Sequence, residues 1–79
     1  MEKEESKSVI EAILFAAGRE VSIQELSMAL EKPTEEIESI IKEMQEDYKT
    51  RGIEITKMED NYQLVSKKEY YEYIYPIID

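Results

Sequence analysis

The side chains that most often carry out chemistry in proteins are sparse in this chain. It contains no cysteine and no histidine, so disulfides, the usual zinc ligands and the commonest general base are absent. Ser22 has a structural explanation, because Ser22-Ile23-Gln24-Glu25 has the spacing of a helix capping box. No nucleophile paired with a base and no phosphate-binding loop can be identified. The residues therefore predict a protein that is not an enzyme and that holds no cofactor.

One turn carries several oxygen ligands for a cation. Glu59-Asp60-Asn61 places two carboxylates and an amide in sequence. That set is far short of the roughly 6 to 8 oxygens that calcium takes. We therefore predict no metal site.

Tyrosines are crowded near the C-terminus, at positions 70, 71, 73 and 75. Aromatic rings can stack on the bases of single-stranded nucleic acid, but such sites also need a basic groove. Glu69 and Glu72 lie among these tyrosines. Packing on the domain or against a protein partner explains the cluster better, since tyrosine favours interfaces.

The charge balance limits the partners further. Nineteen acidic residues against ten basic ones give a net charge of −9, which favours solubility and argues against nucleic acid, anionic membranes and acidic substrates. Basic partner surfaces fit better. After Met1 the chain reads Glu2-Lys3-Glu4-Glu5, and no run of 18 apolar residues follows. This pattern predicts neither a signal peptide nor a membrane span, and hence a cytoplasmic location.

The longest periodic segment runs from Thr34 to Arg51. Its apolar residues recur at helical spacing and form one stripe: Ile37, Ile40, Ile41, Met44 and Tyr48. Six acidic residues against three basic ones occupy the rest of its surface. This helix stands where a DNA-binding protein would place its recognition helix, but its outward face would repel phosphates.

The first helix is predicted from about Ser6 to Ala17, with Gly18 as its stop. Ser8 and Glu11 have capping-box spacing that would allow a later start. Phe15 lies about 140° from Ile10 at 100° per residue, beside Glu11, on the back of the apolar arc. Either another element covers Phe15 or it takes part in an interaction.

The second helix is predicted to begin at Ile23, after the Ser22–Glu25 capping box. Glu31-Lys32-Pro33 interrupts the pattern, and Thr34 is expected to cap the long helix. This is helix-turn-helix spacing. Along the long helix, Glu38/Lys42 and Asp47/Arg51 are expected to form i,i+4 ion pairs.

After Gly52 the apolar period changes from 3.6 to 2, which predicts a β-hairpin. With Asp60-Asn61 as a two-residue turn, Thr56 would pair with Val65. One face of the hairpin would then meet the helices, through Ile53, Ile55, Tyr62 and Leu64. The tip of this wing is acidic, whereas a wing that enters the minor groove favours Arg or Lys.

A last helix is predicted from the Ser66–Glu69 capping-box spacing through Tyr75, with Pro76 as its end. Tyr71, Tyr75 and Ile78 would share one face of it. The elements together predict an α+β, mainly helical fold, a winged helix-turn-helix of three helices, a β-hairpin wing and a short C-terminal helix. The 79 residues suffice for a single small domain.

Residues 9–22, with the sequence VIEAILFAAGREVS, resemble the start of the bacterial segregation and condensation protein B family. Residues 62–70, Tyr48 and residues 51–54 resemble that family as well. The family's chain is about twice as long, with a second winged helix after a linker, so the resemblance implies that residues 1–79 are its N-terminal winged-helix domain. It implies a homodimer through this domain and binding to the kleisin subunit, ScpA, and through it to the SMC ring. The wing turn departs from the family, in which glycine is frequent.

We interpret the chain as a non-enzymatic dimerisation and interaction module for chromosome condensation and partition, associated with the nucleoid. The alternative is a winged-helix transcription regulator that reaches DNA through basic residues, namely Lys32, Lys57, Lys67 and Lys68. The candidate interface residues are Phe15, Glu11, Tyr71, Tyr75 and Ile78.

Overall fold

A computed structural model of the chain describes residues 1–78. It contains four α-helices: α1 (Lys3–Ala17), α2 (Ile23–Leu30), α3 (Thr34–Asp47) and α4 (Tyr71–Ile74). The three strands are β1 (Val21–Ser22), β2 (Ile53–Met58) and β3 (Asn61–Ser66), and single 3-10 turns cover Tyr48–Thr50 and Lys68–Tyr70. The order of helices, turn and hairpin is that of a winged helix, as predicted.

Helix α1 begins at Lys3, three residues before the predicted start. The amide of Ser6 already donates to the carbonyl of Glu2 at 2.9 Å, and Glu4 and Glu5 in the first turn favour the positive end of the helix dipole. The capping-box spacing at Ser8 is therefore inside the helix and marks no start. Gly18 ends the helix as predicted, with φ of 60° and its amide bonded to Leu14.

Helix α2 begins as predicted. The hydroxyl of Ser22 accepts from the amide of Glu25 at 3.0 Å, and the Glu25 carboxylate accepts from the amide of Ser22 at 2.9 Å. The prediction for α3 was wrong in one respect, because Pro33 is its N-cap and Thr34 forms no capping bond. Pro33 is extended, with φ of −64° and ψ of 152°, and its side chain has no acceptor, so the first amides of α3 receive no side-chain cap.

The long helix is α-helical only to Asp47, and Tyr48–Thr50 tighten into a 3-10 turn. The predicted i,i+4 ion pairs are replaced by contacts between elements. Glu38 pairs with Lys57 of β2 at 3.4 Å, and Asp47 with Lys7 of α1 at 2.9 Å. Long side chains on a surface helix choose among all neighbours within reach, and helical spacing reveals only some of them.

The strands form an antiparallel sheet in the order β1-β3-β2. Thr56 pairs with Gln63 and Met58 with Asn61, so the two-residue wing turn is Glu59-Asp60, one residue earlier than predicted. Glu59 has φ of 58° there. The predicted inner face holds at its centre, where Ile55 and Tyr62 are buried, but Ile53 at the strand's start is exposed.

The C-terminal helix is shorter than predicted. Ser66 remains in β3, so the Ser66–Glu69 spacing forms no capping box, and a 3-10 turn precedes the four residues of α4. The ladder explains this, because Ser66 pairs with Ile53 at the end of the hairpin. Pairing across the hairpin therefore overrides the local pattern, which predicted that Ser66 caps a helix.

The core lies between the three long elements and the inner face of the sheet. Helices α1, α2 and α3 contact one another, and α1 and α3 also contact the strands. The buried apolar residues are Ile10, Leu14, Val21, Ile23, Leu26, Leu30, Ile37, Ile40, Ile41, Met44, Tyr48, Ile55 and Tyr62. All of them precede residue 63, and Leu64 packs against them while it is partly buried. No described residue after Leu64 belongs to this core.

Candidate interaction site

Phe15 projects from the back of α1. Ile10 and Leu14 face the core, while Phe15, one residue further along the helix, keeps 79% of its surface exposed. It lines a shallow depression of about 260 Å³ together with Ala12, Ile53, Leu64 and Glu11. We call this the Phe15 depression. Phe15 projects from the back of the helix as predicted, and its exposure decides against the alternative that another element of the described chain covers it. Its role in an interface remains a prediction.

Glu11 forms the polar edge of the depression. Its carboxylate accepts a hydrogen bond of 2.5 Å from the hydroxyl of Tyr48. Burial of Tyr48 and the adjacent Glu11 carboxylate raise the pKa of that hydroxyl, which therefore stays protonated and donates. Glu11 thus ties α1 to the end of α3, a structural role that helical spacing did not reveal.

Ile53 is the residue of this site that sequence reasoning missed. Alternation along β2 predicted that it faces the helices, yet it is exposed and lines the Phe15 depression. The only available signal in the sequence was its position, because Ile53 is the first residue of β2, at the open end of the hairpin.

The C-terminal tyrosines form a second apolar surface. The rings of Tyr71 and Tyr75 lie 5.5 Å apart between centroids and are tilted by 44°, an arrangement that aromatic pairs favour. Tyr71 is half-buried, whereas Tyr75 and Ile78 keep 64% and 66% of their surfaces exposed. Tyr71 and Tyr75 therefore lie on one face, as predicted.

The two surfaces are separate in this structure, since none of the residues that line the Phe15 depression belongs to the C-terminal tyrosine segment. They approach each other through the hairpin. Gly52, beside Ile53, accepts a hydrogen bond from the amide of Lys67 at 2.9 Å, and the Tyr70 ring packs next to Gly52. The C-terminal segment thus starts next to the Phe15 depression.

The outward face of α3 is mainly acidic, and three of the four lysines of the DNA-binding alternative are engaged within the chain. Lys32 pairs with Glu36 at 3.1 Å and Lys57 with Glu38 at 3.4 Å. Lys67 donates to the carbonyls of Tyr48 and Lys49, at 2.8 and 3.1 Å. These lysines are therefore poorly placed to contact phosphate.

Two groups of ion pairs connect elements of the fold: one joins α1 to α3, and the other joins Arg19 to α2. Lys3 and Lys7 of α1 both reach Glu43 of α3, at 2.9 and 3.4 Å. The hydrogen bond from Lys3 lowers the pKa of the Glu43 carboxyl, and the bond to Asp47 raises the pKa of Lys7. These pairs are exposed or half-exposed, so each contributes little to stability.

At the start of α2, Arg19 binds the Glu25 carboxylate at 3.1 Å. This bond and the amide of Ser22 lower the pKa of Glu25. The capping box therefore keeps its carboxylate ionised.

Residues 1–78 contain no group of three or more acidic side chains placed to hold a metal ion. The wing tip, Glu59-Asp60, is exposed. No helix in the described part of the chain is both long and apolar enough to cross a membrane.

Comparison with known proteins identifies the relatives of this chain. The family model of the segregation and condensation complex subunit ScpB matches residues 8–79. The segregation and condensation protein B of Alkaliphilus oremlandii is 49% identical over 76 residues, which cover 94% of this chain and 41% of that protein. The protein of the same name from Clostridioides difficile is 40% identical to this chain, and the match covers 46% of that protein. The chain thus spans less than half the length of these relatives.

Two solved structures share the fold. A crystal structure of a dimer of the ScpB N-terminal domain, complexed with an ScpA peptide, superposes with a TM-score of 0.88 at 29% identity. The match covers 95% of this chain and 96% of that domain. ScpB from Mycobacterium tuberculosis gives a TM-score of 0.91 at 20% identity, with 50% of its chain covered.

Proposed function

This chain belongs to the ScpB family of segregation and condensation complex subunits, and from that premise we propose that it is a non-enzymatic dimerisation and interaction module of a chromosome segregation and condensation complex. The observation that carries the proposal is the likeness to the N-terminal domain that was solved as a dimer with an ScpA peptide. That likeness extends over almost the whole of both chains.

The proposed partners are a second copy of this chain and a kleisin subunit of the ScpA type, and through it an SMC ring. The domain would act in the cytoplasm, at the nucleoid. Its exposed apolar surface is concentrated at the Phe15 depression and the C-terminal tyrosines. Exposed aromatic residues at such positions are typical of protein interfaces. We assign Phe15, Tyr71, Tyr75 and Ile78 to contacts and Glu11 to the edge of the contact.

We further propose that residues 1–79 form the N-terminal part of a two-domain protein. The relatives are more than twice as long as the matched segment. The isolated N-terminal domain, by contrast, is matched almost completely. A second winged helix after this segment would fit both observations.

An enzymatic role has little support. The hydroxyl of Ser22 is engaged with the amide of Glu25, and the neighbouring carboxylates serve helix ends and ion pairs. A nucleophile needs a free hydroxyl or thiol beside a base. The described residues offer no such pair.

The alternative, a DNA-binding regulator, rests on the winged-helix fold and on four lysines. Three of those lysines are held within the chain, and the exposed surface of α3 is mainly acidic. Each unit charge that faces a phosphate at 4 Å costs on the order of 1 kcal/mol in water. Fluorescence anisotropy of a labelled duplex at about 0.15 M salt should stay flat, whereas salt-dependent micromolar binding would favour the regulator.

Sedimentation equilibrium tests the proposed dimer and the place of Phe15 in it. Wild type is expected to be a dimer, and Phe15→Glu to weaken it by about 30-fold or more, as loss of a central aromatic residue does. Met28→Glu is the matched control, because Met28 is equally exposed but lies on α2. A monomeric wild type would remove the dimer, and a mutant that remains dimeric would remove Phe15 from the contact.

A further inference from the structure

The segment Tyr70–Ile78, which we call the C-terminal arm, keeps its shape with little support from the body of the domain. Its described backbone bonds are local, such as Tyr75 to Tyr71 at 3.0 Å and Ile78 to Ile74 at 2.9 Å. None of its residues is buried. Isolated helices shorter than about 12 residues are marginal in water. An arm of this length therefore needs a surface to pack on.

The body of the domain has an exposed apolar surface that matches the apolar, uncharged surface of the arm. Residues 12–18, 61–66 and 73–78 are the three longest stretches of the chain without a charged side chain. The first two contribute Phe15 and Leu64 to the Phe15 depression, and the third is most of the arm. Two copies that each carry a net charge of −9 repel each other. Their contact is least unfavourable where these uncharged stretches meet.

A contact made by Phe15 alone would be too small. An aromatic side chain buries about 150–250 Å², whereas a standard interface needs roughly 800 Å² from each partner. The arm supplies further exposed surface, chiefly from Tyr73, Tyr75, Ile77 and Ile78. The Phe15 depression and the arm together bring the available apolar area closer to what a stable dimer requires.

The geometry points to a reciprocal exchange of arms, in which the C-terminal arm of one copy lies in the Phe15 depression of a second copy, and the reverse. This inference rests on the proposed homodimer. The arm begins at Tyr70, whose ring lies beside Gly52. Gly52 also accepts the hydrogen bond from Lys67, three residues before the arm, and Ile53 next to Gly52 lines the depression. The start of each arm and the depression on its own chain are therefore neighbours. A two-fold axis beside them lets each arm cross to the other copy, and the exchange closes as a dimer.

Cysteine cross-linking distinguishes this arrangement from a simple contact between two Phe15 faces. The chain has no cysteine, so Ala12→Cys in the depression and Ile77→Cys in the arm are each unique. The two variants are mixed, allowed to exchange subunits and treated with a short bismaleimide. We expect the mixed species, Ala12 to Ile77, to be the dominant product. Met28→Cys in place of Ala12→Cys should abolish it.

Truncation supplies an independent readout. A chain ending at Tyr70 retains every buried core residue, so it should keep the circular dichroism spectrum of the folded domain. We expect the affinity of its dimer to be lower than that of the wild-type dimer by about 30-fold or more. The double variant Tyr75→Glu/Ile77→Glu, which keeps the full length, should behave in the same way.

Three results would overturn the exchange. A truncated chain that dimerises as tightly as wild type, or cross-links dominated by Ala12 to Ala12, would leave the dimer intact but place the arm outside it. A wild type that is monomeric at every concentration would remove the exchange and the proposed homodimer together.

Discussion

Ser6 shows how much a single buried atom matters in so small a domain. Its side chain is fully buried in α1, and its hydroxyl has no hydrogen-bond partner among residues 1–78. An unsatisfied buried hydroxyl costs about 1–3 kcal/mol. Ser6→Ala removes the hydroxyl and also raises helix propensity. We expect the free energy of unfolding to rise by about 1 kcal/mol, which raises Tm by roughly 4–8 °C in a domain of this size.

Ser8→Ala is the control for Ser6→Ala, because Ser8 lies on the same helix but is exposed. It gains only the propensity difference, about 0.5 kcal/mol at most. Thermal unfolding of both variants by circular dichroism compares the two. A gain at Ser6 no larger than the gain at Ser8 would mean that the hydroxyl is satisfied in solution.

At the scale of elements, Lys67 joins the wing to the end of the long helix. Its ammonium group donates to the carbonyls of Tyr48 and Lys49 in the turn that ends the helix, and the Tyr48 carbonyl also accepts from the amide of Arg51 at 3.0 Å. The positive charge also favours the negative end of the helix dipole. Lys67→Met should lower the free energy of unfolding by about 1.5–3 kcal/mol, the usual contribution of a hydrogen bond to a charged group.

Lys68→Met is the matched control, since Lys68 is exposed and has no side-chain hydrogen bond among the described residues. Chemical denaturation in urea should give nearly the wild-type midpoint for Lys68→Met and a lower midpoint for Lys67→Met. Equal midpoints for the two variants would show that the cap does not stabilise the end of α3.

The same scale shows what the sequence could predict. Ser22 with Glu25, and Gly18, act within one helical turn, so the start of α2 and the end of α1 were predicted correctly. Contacts between distant residues decided the rest. Ser66 pairs with Ile53 across the hairpin and so cannot cap a helix, and Glu59 rather than Asp60 opens the turn.

The candidate interface was predictable only in part. That Phe15 projects from the back of α1 followed from helical geometry, whereas its exposure also depends on which elements pack beside the helix. The exposure of Ile53 likewise depends on tertiary packing, and the bond from Tyr48 to Glu11 joins residues 37 apart. Neither is encoded in a local pattern.

For the whole molecule, the net charge of −9 predicts the response to salt. Raising the salt concentration from about 0.01 M to about 0.15 M shortens the Debye length from roughly 30 Å to about 8 Å. Repulsion among exposed carboxylates then weakens, and Tm should rise. The opposing contribution comes from ion pairs such as Lys3 with Glu43, which salt also screens. Exposed pairs of this kind are worth about 0–1 kcal/mol each, so repulsion should dominate.

Differential scanning calorimetry at two protein concentrations separates this effect from dimerisation, because only the dimer contribution to Tm depends on concentration. A rise in Tm with sodium chloride that is the same at both concentrations is the expected result. A fall in Tm would mean that the ion pairs between α1 and α3 stabilise the domain more than carboxylate repulsion destabilises it. Lys3→Met would then lower Tm at low salt and make it less sensitive to added salt.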